Sequence, residues 1–263
     1  MKKRPRSAKK RKPRILWLRW LALFALLFLA QSVLPAQHPS GDEKFLMDAA
    51  NRERAERGAP ALKWDATLAE AAERHAREMA KRENISHRFP GEADLKDRAR
   101  AAGARFSQVA ENVAEAPDVS SIHINWMLSP GHSANILNPQ LNSIGIAVEK
   151  RGEEYFAVQD FSAAVAALSK EEQEQEIASL LASRGLHILR DSGDARRACA
   201  RGTGTGGTHP KAVVHFEAPN LRELPPQMIK MMGAGRFDSA AVGACEPKDD
   251  GAFTMFRIAV LFY

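Results

Sequence analysis

Residues 129–138 read Ser-Pro-Gly-His-Ser-Ala-Asn-Ile-Leu-Asn. The stretch places His132 just behind a Pro-Gly pair and just ahead of the apolar pair Ile136 and Leu137. Proline and glycine punctuate the backbone as a turn, and the apolar pair can anchor the next segment to a core. A histidine pinned on both sides is aimed, and the flanking chain shows at what.

Upstream, residues 119–128 have helical spacing, with Ile122 and Trp126 facing inward. Residues 106–114 read as a strand or extended loop and contain Glu111-Asn112. His87 lies in a loop over 84–88. Further back, the spacing predicts helices over 42–57, 66–82 and 94–102, with Asp65 placed to cap the second. His75 falls within the apolar stripe of that second helix and reads as a packing residue rather than a ligand. Downstream, Ile144, Ile146 and Val148 alternate over 142–150, residues 151–153 make a turn, and 155–161 return, which is a hairpin by the period-two rule. Helices segregated from a hairpin in this way predict an α+β layer architecture rather than alternating βαβ units.

The chain has 263 residues and a formal charge of +6, but the charge is unevenly placed. Ten of the 38 Lys and Arg precede the first acid, Asp42, which leaves 28 bases against 32 acids, a net of −4. The body is mildly acidic, so nucleic-acid binding loses its electrostatic support. Between residues 15 and 36 the one charge is Arg19, and residues 20–30 are unbroken apolar sequence. A basic segment followed by such a run reads as a signal peptide or a membrane anchor over 1–36, with the basic end cytoplasmic. Ten upstream positive charges argue against a buried core helix. Residues 37–41 are a linker, and everything beyond them is expected outside the cytoplasm.

Cys199 and Cys245 fit that export: in an oxidising compartment a lone distant pair is most simply one disulfide. The last hundred residues predict a helix over 170–184, strands near 212–217, 240–245 and 253–262, and a helix over 224–232. Together they make a small disulfide-linked α+β unit over 165–263. Gly202-x-Gly204-x-x-Gly207 matches a dinucleotide fingerprint by letter, but it follows no strand and opens no helix, so it reads as a loop.

Three candidates for chemistry fall in the first unit: His87, Glu111 and His132. Two imidazoles and a carboxylate suit a divalent metal with an open position. They equally suit acid–base work in which the carboxylate orients a histidine.

Ser-His at 86–87, Glu-Asn at 111–112, Trp-x-x-Ser-Pro-Gly-His at 126–132 and Tyr-Phe-x-Val-Gln-Asp-Phe at 155–161 resemble the bacterial, SCP-like branch of the CAP superfamily. That superfamily comprises cysteine-rich secretory proteins, antigen 5 and pathogenesis-related proteins. Asn51-x-Glu-Arg, Leu62-Lys-Trp-Asp and Leu68-Ala-Glu-Ala-Ala extend the resemblance across 42–164. The resemblance implies an α-β-α sandwich around a small antiparallel sheet, with a cleft lined by two histidines and two acids. His87, Glu111 and His132 would be three of them; the second acid is expected three residues after Trp126, where this chain has Ser129. The residue before Glu-Asn, often glycine in the family, is Ala110. The family's cleft is associated with divalent metal such as zinc, here through His87 and His132, and other surfaces with lipid or sterol.

The expected function is an exported or membrane-anchored, non-enzymatic module whose cleft takes a divalent cation or small ligand. Its partners would be the membrane through the N-terminal segment and a small ligand, lipid or envelope component, with no nucleic acid. One alternative is a hydrolase using His87, His132 and Glu111 with Ser129 as nucleophile; another is a structural or adhesive envelope protein.

Overall fold

A computed structural model describes residues 38–204, 207, 209–233, 235–247 and 254–263. The expected signal peptide or anchor over 1–36 lies outside them. Among the described residues no helix is long and apolar enough to cross a membrane.

Eight helices and eight strands are described, arranged around two four-stranded sheets. Helix α1 (Gly41–Glu56) starts at a capping box, in which Ser40 and Glu43 satisfy each other's backbone N–H. Strand β1 (Lys63–Trp64) is followed by Asp65, whose side chain accepts from the N–H groups of Thr67 and Leu68 and so opens α2 (Ala66–Arg82). α3 (Leu95–Ala101) precedes β2 (Phe106–Ala116), and then come α4 (Val119–Leu128), α5 (Pro130–Leu137) and the hairpin β3 (Ser143–Arg151) and β4 (Glu154–Ala164). The first sheet has the order β1-β3-β4-β2. It is antiparallel except at β1, which runs parallel to β3, so the sheet is mixed rather than wholly antiparallel.

Alternation along the strands divides the core between two faces. On one, Ile144, Ile146, Ala157 and Phe161 pack with Leu46 and Ala50 of α1, Ile122 and Trp126 of α4 and Ile136 of α5. On the other, Val113, Ala147, Phe156 and Val158 pack with Ala72, Ala76 and Met79 of α2. This is an α-β-α sandwich. Gly145 of β3 is where α2 comes closest: a Cβ there would fall 2.1 Å from the backbone nitrogen of Ala69.

The Pro-Gly pair at 130–131 does not make the expected turn. It opens α5, because the fixed φ of proline suits the first helical position, where its missing N–H leaves nothing unpaired. His132 therefore sits in the first turn of a helix. The far end of α5 is held by Arg54, the last residue of the Asn51-x-Glu-Arg motif and itself fully buried. Its guanidinium donates to the carbonyls of Pro60, Ile136, Asn138 and Leu141 over 2.6–2.9 Å. Asn51 of the same motif pairs reciprocally with the backbone of Leu62 and so sets the approach to β1.

The second sheet is built from α6 (Lys170–Ala182), β5 (His187–Ile188), α7 (Gly193–Arg201), β6 (Ala212–Ala218), α8 (Pro226–Met232), β7 (Ser239–Cys245) and β8 (Phe256–Phe262). β5 and α7 go beyond the sequence expectation, since two residues are too few to show a period and α7 begins without a side-chain cap. The Cys199–Cys245 disulfide is present and ties α7 to the end of β7. Gly202 closes α7 in a left-handed conformation, so the glycine-rich segment ends a helix instead of opening one.

Candidate functional site

β2 is an edge strand, and successive side chains of a strand point to opposite faces. Glu111 and Asn112 use this to reach around both sides of the edge. Glu111 points to the α2 face, where one carboxylate oxygen accepts a hydrogen bond from His87 Nδ1 at 2.7 Å and the other is paired with the Arg98 guanidinium. Asn112 points to the α5 face, where its amide donates to the carbonyl of His132 and accepts from Asn135 at 2.9 Å. Asn135 also donates to the carbonyl of Glu111, and Trp126 Nε1 donates to that of Val113. The 129–138 stretch is thus fastened to β2 through Asn135, and the Glu-Asn pair positions one histidine with each of its members.

The two histidines meet at this edge. Their ring centroids are 6.4 Å apart with 54° between the ring planes. His87 is the more open, with a side chain 62% exposed, whereas that of Glu111 is only 3% exposed. The hydrogen bond to Glu111 raises the His87 pKa. Burial, helped by the charge of His87, lowers that of His132. His132 is therefore biased toward the neutral imidazole and His87 toward the imidazolium.

Behind these two lies a layer of which sequence reasoning reads only His75, as a packing residue. His75 is completely buried; its Nδ1 lies 2.6 Å from Glu92, and its Nε2 donates to the carbonyl of Ser86 at 2.7 Å. It is hydrogen-bonded at both nitrogens and fixes the residue preceding His87. Arg98 adds hydrogen bonds to the carbonyls of His87 and Ala93. Asp160 faces Glu111 across the β2–β4 pairing and is fully buried, and neither of its carboxyl oxygens finds a hydrogen-bond partner. Burial, then the charge of Glu111, pushes its pKa far above the usual carboxylate range, so it is held as the neutral acid. Arg98 sits on a seven-residue helix with a second arginine, Arg100, and Asp160 alternates within a strand. Nothing local distinguishes either from a surface charge, although Gln159-Asp160 within an apolar strand is a signal that a charge is buried there.

Ser129 is the N-cap of α5 but makes no side-chain cap bond and no hydrogen bond to either imidazole. The hydroxyls of Ser133 and Ser86 are spent on backbone carbonyls, of Ser129 and Arg88 respectively. None of these three serines is thus presented to a histidine as an activated nucleophile would be. Among the described residues no three His, Cys, Asp or Glu side chains form a group able to hold a metal ion. The edge of β2 instead assembles a pair of imidazoles, one braced by a buried carboxylate.

Comparison with known proteins bears on these same residues. The model of the cysteine-rich secretory protein family, CAP, matches residues 47–161. Among curated relatives, the uncharacterized protein YkwD of Bacillus subtilis is 29% identical over 114 residues, covering 43% of this chain and 44% of its own. The uncharacterized membrane protein YlbC of the same organism is 31% identical over 110 residues, covering 41% and 32%. The chain spans less than half the length of either. Among solved structures, an extracellular protein containing a SCP domain from Bacillus anthracis is 29% identical, covering 46% of this chain and 40% of that one, with a TM-score of 0.44. The likeness of this chain to the CAP family thus lies in residues 47–161.

Proposed function

We propose that the chain is an exported or membrane-anchored binding protein whose CAP cleft takes a divalent cation, or a small ligand in its place, between His87 and His132. The observation that carries this reading is the pairing of Glu111 with His87 Nδ1 beside the ring of His132. A carboxylate on one ring nitrogen fixes the tautomer and leaves Nε2 to ligate, as in histidine metal sites whose ligands are oriented by a carboxylate. Zn–N bonds of about 2 Å at a tetrahedral angle would bring two ligating rings to roughly 5 Å between centroids, so the rings, 6.4 Å apart here, would close by about 1 Å on binding. The donor set fits a metal bound by two protein nitrogens, with its remaining positions left to solvent or an incoming group. Ser129, standing where the family often carries an acid, removes one anionic donor. That supports binding over hydrolytic chemistry.

Export is supported by the basic and apolar N-terminal sequence and by the Cys199–Cys245 disulfide. The naming of one relative as a membrane protein agrees. Calorimetric titration with zinc should give saturable heat that His132→Ala abolishes; equal heats from the two proteins would remove the metal from the proposal.

A further inference from the structure

The second sheet repeats the first. Its order is β5-β7-β8-β6 against β1-β3-β4-β2, and every pairing matches: a two-residue strand parallel to the start of the third, then two antiparallel pairs. Each unit is entered through a helix with a Ser-x-x-Glu capping box, Ser40–Glu43 and Ser169–Glu172. Each has a glycine in its third strand pressed against the helix that follows the short strand. A Cβ at Gly243 would lie 2.1 Å from the nitrogen of Arg196, as one at Gly145 would from Ala69.

These glycines align the two units. Gly145 pairs with Asp160, which pairs with Glu111; Gly243 pairs with Ala259, which pairs with His215. His215 therefore holds, on edge strand β6, the place that Glu111 holds on edge strand β2. Counting from the helix contacts, Leu68 matches Ala195, and His75 matches Gly202. There the copies diverge. α2 continues to Arg82, but α7 stops at Arg201 with Gly202 as its cap, so about two turns of helix are not repeated. The sheet face that those turns cover in the first unit is open in the second, as a cavity of about 350 Å³ lined by Cys199, Gly202, His215, Glu217, Arg257 and neighbouring strand residues.

The wall of this cavity is charged where the first unit is apolar. Glu217 and Arg257 are cross-strand partners, with Arg257 Nε 3.5 Å from Glu217 Oε1. They take the places of Val113 and Val158 in the first unit, which pack beneath α2. Arg257 is fixed further by the carbonyls of Glu246 and Cys199, the latter on the α7 end of the disulfide. Nε2 of His215 is buried and has no hydrogen-bond partner.

We propose that residues 169–263 are a diverged copy of the CAP unit and that this cavity is its ligand site, taking a small zwitterion of the α-amino-acid class. A plain anion placed here meets Glu217, and a plain cation meets Arg257. A ligand carrying both charges close together satisfies each wall residue with its opposite, which is the electrostatic complementarity that selects a partner. The volume lies at the small end of the range for small-molecule sites, about 300–1,000 Å³.

The test is a titration of the full chain with alanine, followed by NMR at Glu217 and the His215 ring, with acetate and methylammonium as single-charge controls. Alanine should give saturable shifts with a Kd of about 1 mM. Glu217→Gln, which leaves Arg257 and its backbone hydrogen bonds in place, should weaken binding at least tenfold, and Arg257→Gln should do the same. His132→Ala should leave binding unchanged, which separates this site from the first cleft. No saturable shift with alanine, acetate or methylammonium binding as tightly as alanine, or loss of binding in His132→Ala would each overturn the proposal.

Discussion

Replacing Glu111 with Gln tests the cleft at its most loaded point. The Glu111 and Arg98 side chains are 3% and 5% exposed, so the substitution leaves a buried guanidinium without its counter-charge. Removing one partner of a buried pair costs about 3–5 kcal/mol. Glutamine keeps one oxygen but turns an NH2 group toward a donor, either Arg98 or His87 Nδ1–H, so one hydrogen bond becomes a clash of donors. One effect works in the opposite direction. Asp160 is neutral partly because Glu111 is charged beside it; once that charge is gone, Asp160 ionises more readily and can offset part of the charge of Arg98. The loss should therefore fall at the low end, near 3 kcal/mol, seen in urea as a midpoint shift of about 1 M for a slope near 3 kcal/mol per M. The double variant Glu111→Gln/Asp160→Asn removes the rescue and should cost more than the sum of the singles. The titration midpoint of the His87 ring should fall in the single variant, since the charged carboxylate that raises it, by hydrogen bond and by charge, is gone. A Glu111→Gln protein within about 0.5 kcal/mol of wild type, with an unchanged His87 titration, would show that Glu111 neither balances Arg98 nor braces His87.

Asp160→Asn alone should show a pH signature. The folded pKa of Asp160 is raised above 3.8, so wild-type stability from this group is fully present below that pH and is lost as pH rises through the folded value. Denaturation curves should show the variant gaining on wild type from about pH 4 upward; a constant difference across that range would mean that Asp160 is not held neutral. Arg54→Met should cost about 3–5 kcal/mol, because it strips hydrogen bonds from the carbonyls of Pro60, Ile136, Asn138 and Leu141, of which Asn138 keeps the N–H of Leu141. A loss below about 1 kcal/mol in thermal unfolding would contradict this. Converting Cys199 and Cys245 to serine opens an interval of 46 residues and should cost about 4 kcal/mol in the chain-entropy model, read from the denaturant midpoint of the second unit.

Elements with strong periods are legible in the sequence, and those defined by pairing are not. α2 can be delimited as 66–82 because Asp65 caps it and its apolar stripe runs unbroken. The β3–β4 hairpin follows from alternation. The short extended piece at 62–65 can be read ahead of α2, but its parallel pairing as β1, and β5 altogether, depend on a distant strand, which no local pattern records. The Pro-Gly pair at 130–131 misleads because the same dipeptide suits a turn and a helix start. The next residues decide between them, and they propagate a helix. In the site, His87, Glu111 and His132 can be named from spaced motifs. Arg98, Glu92 and Asp160 cannot, because their importance comes from burial, and burial of a charge is a property of the whole fold. The likeness between the two sheets is hidden for the same reason: it is carried by topology and by two glycines under helices, with the intervening sequence replaced.

Joint action of His87 and His132 on one bound group is open to direct observation by zinc titration of the ¹⁵N-labelled protein, followed at the imidazole nitrogens. Nε2 of His87 and the ring of His132 should shift together and saturate, while Nδ1 of His87 keeps its hydrogen bond to Glu111. Independent, non-saturating shifts at the two rings, or a response confined to other histidines, would mean that the two do not share a ligand.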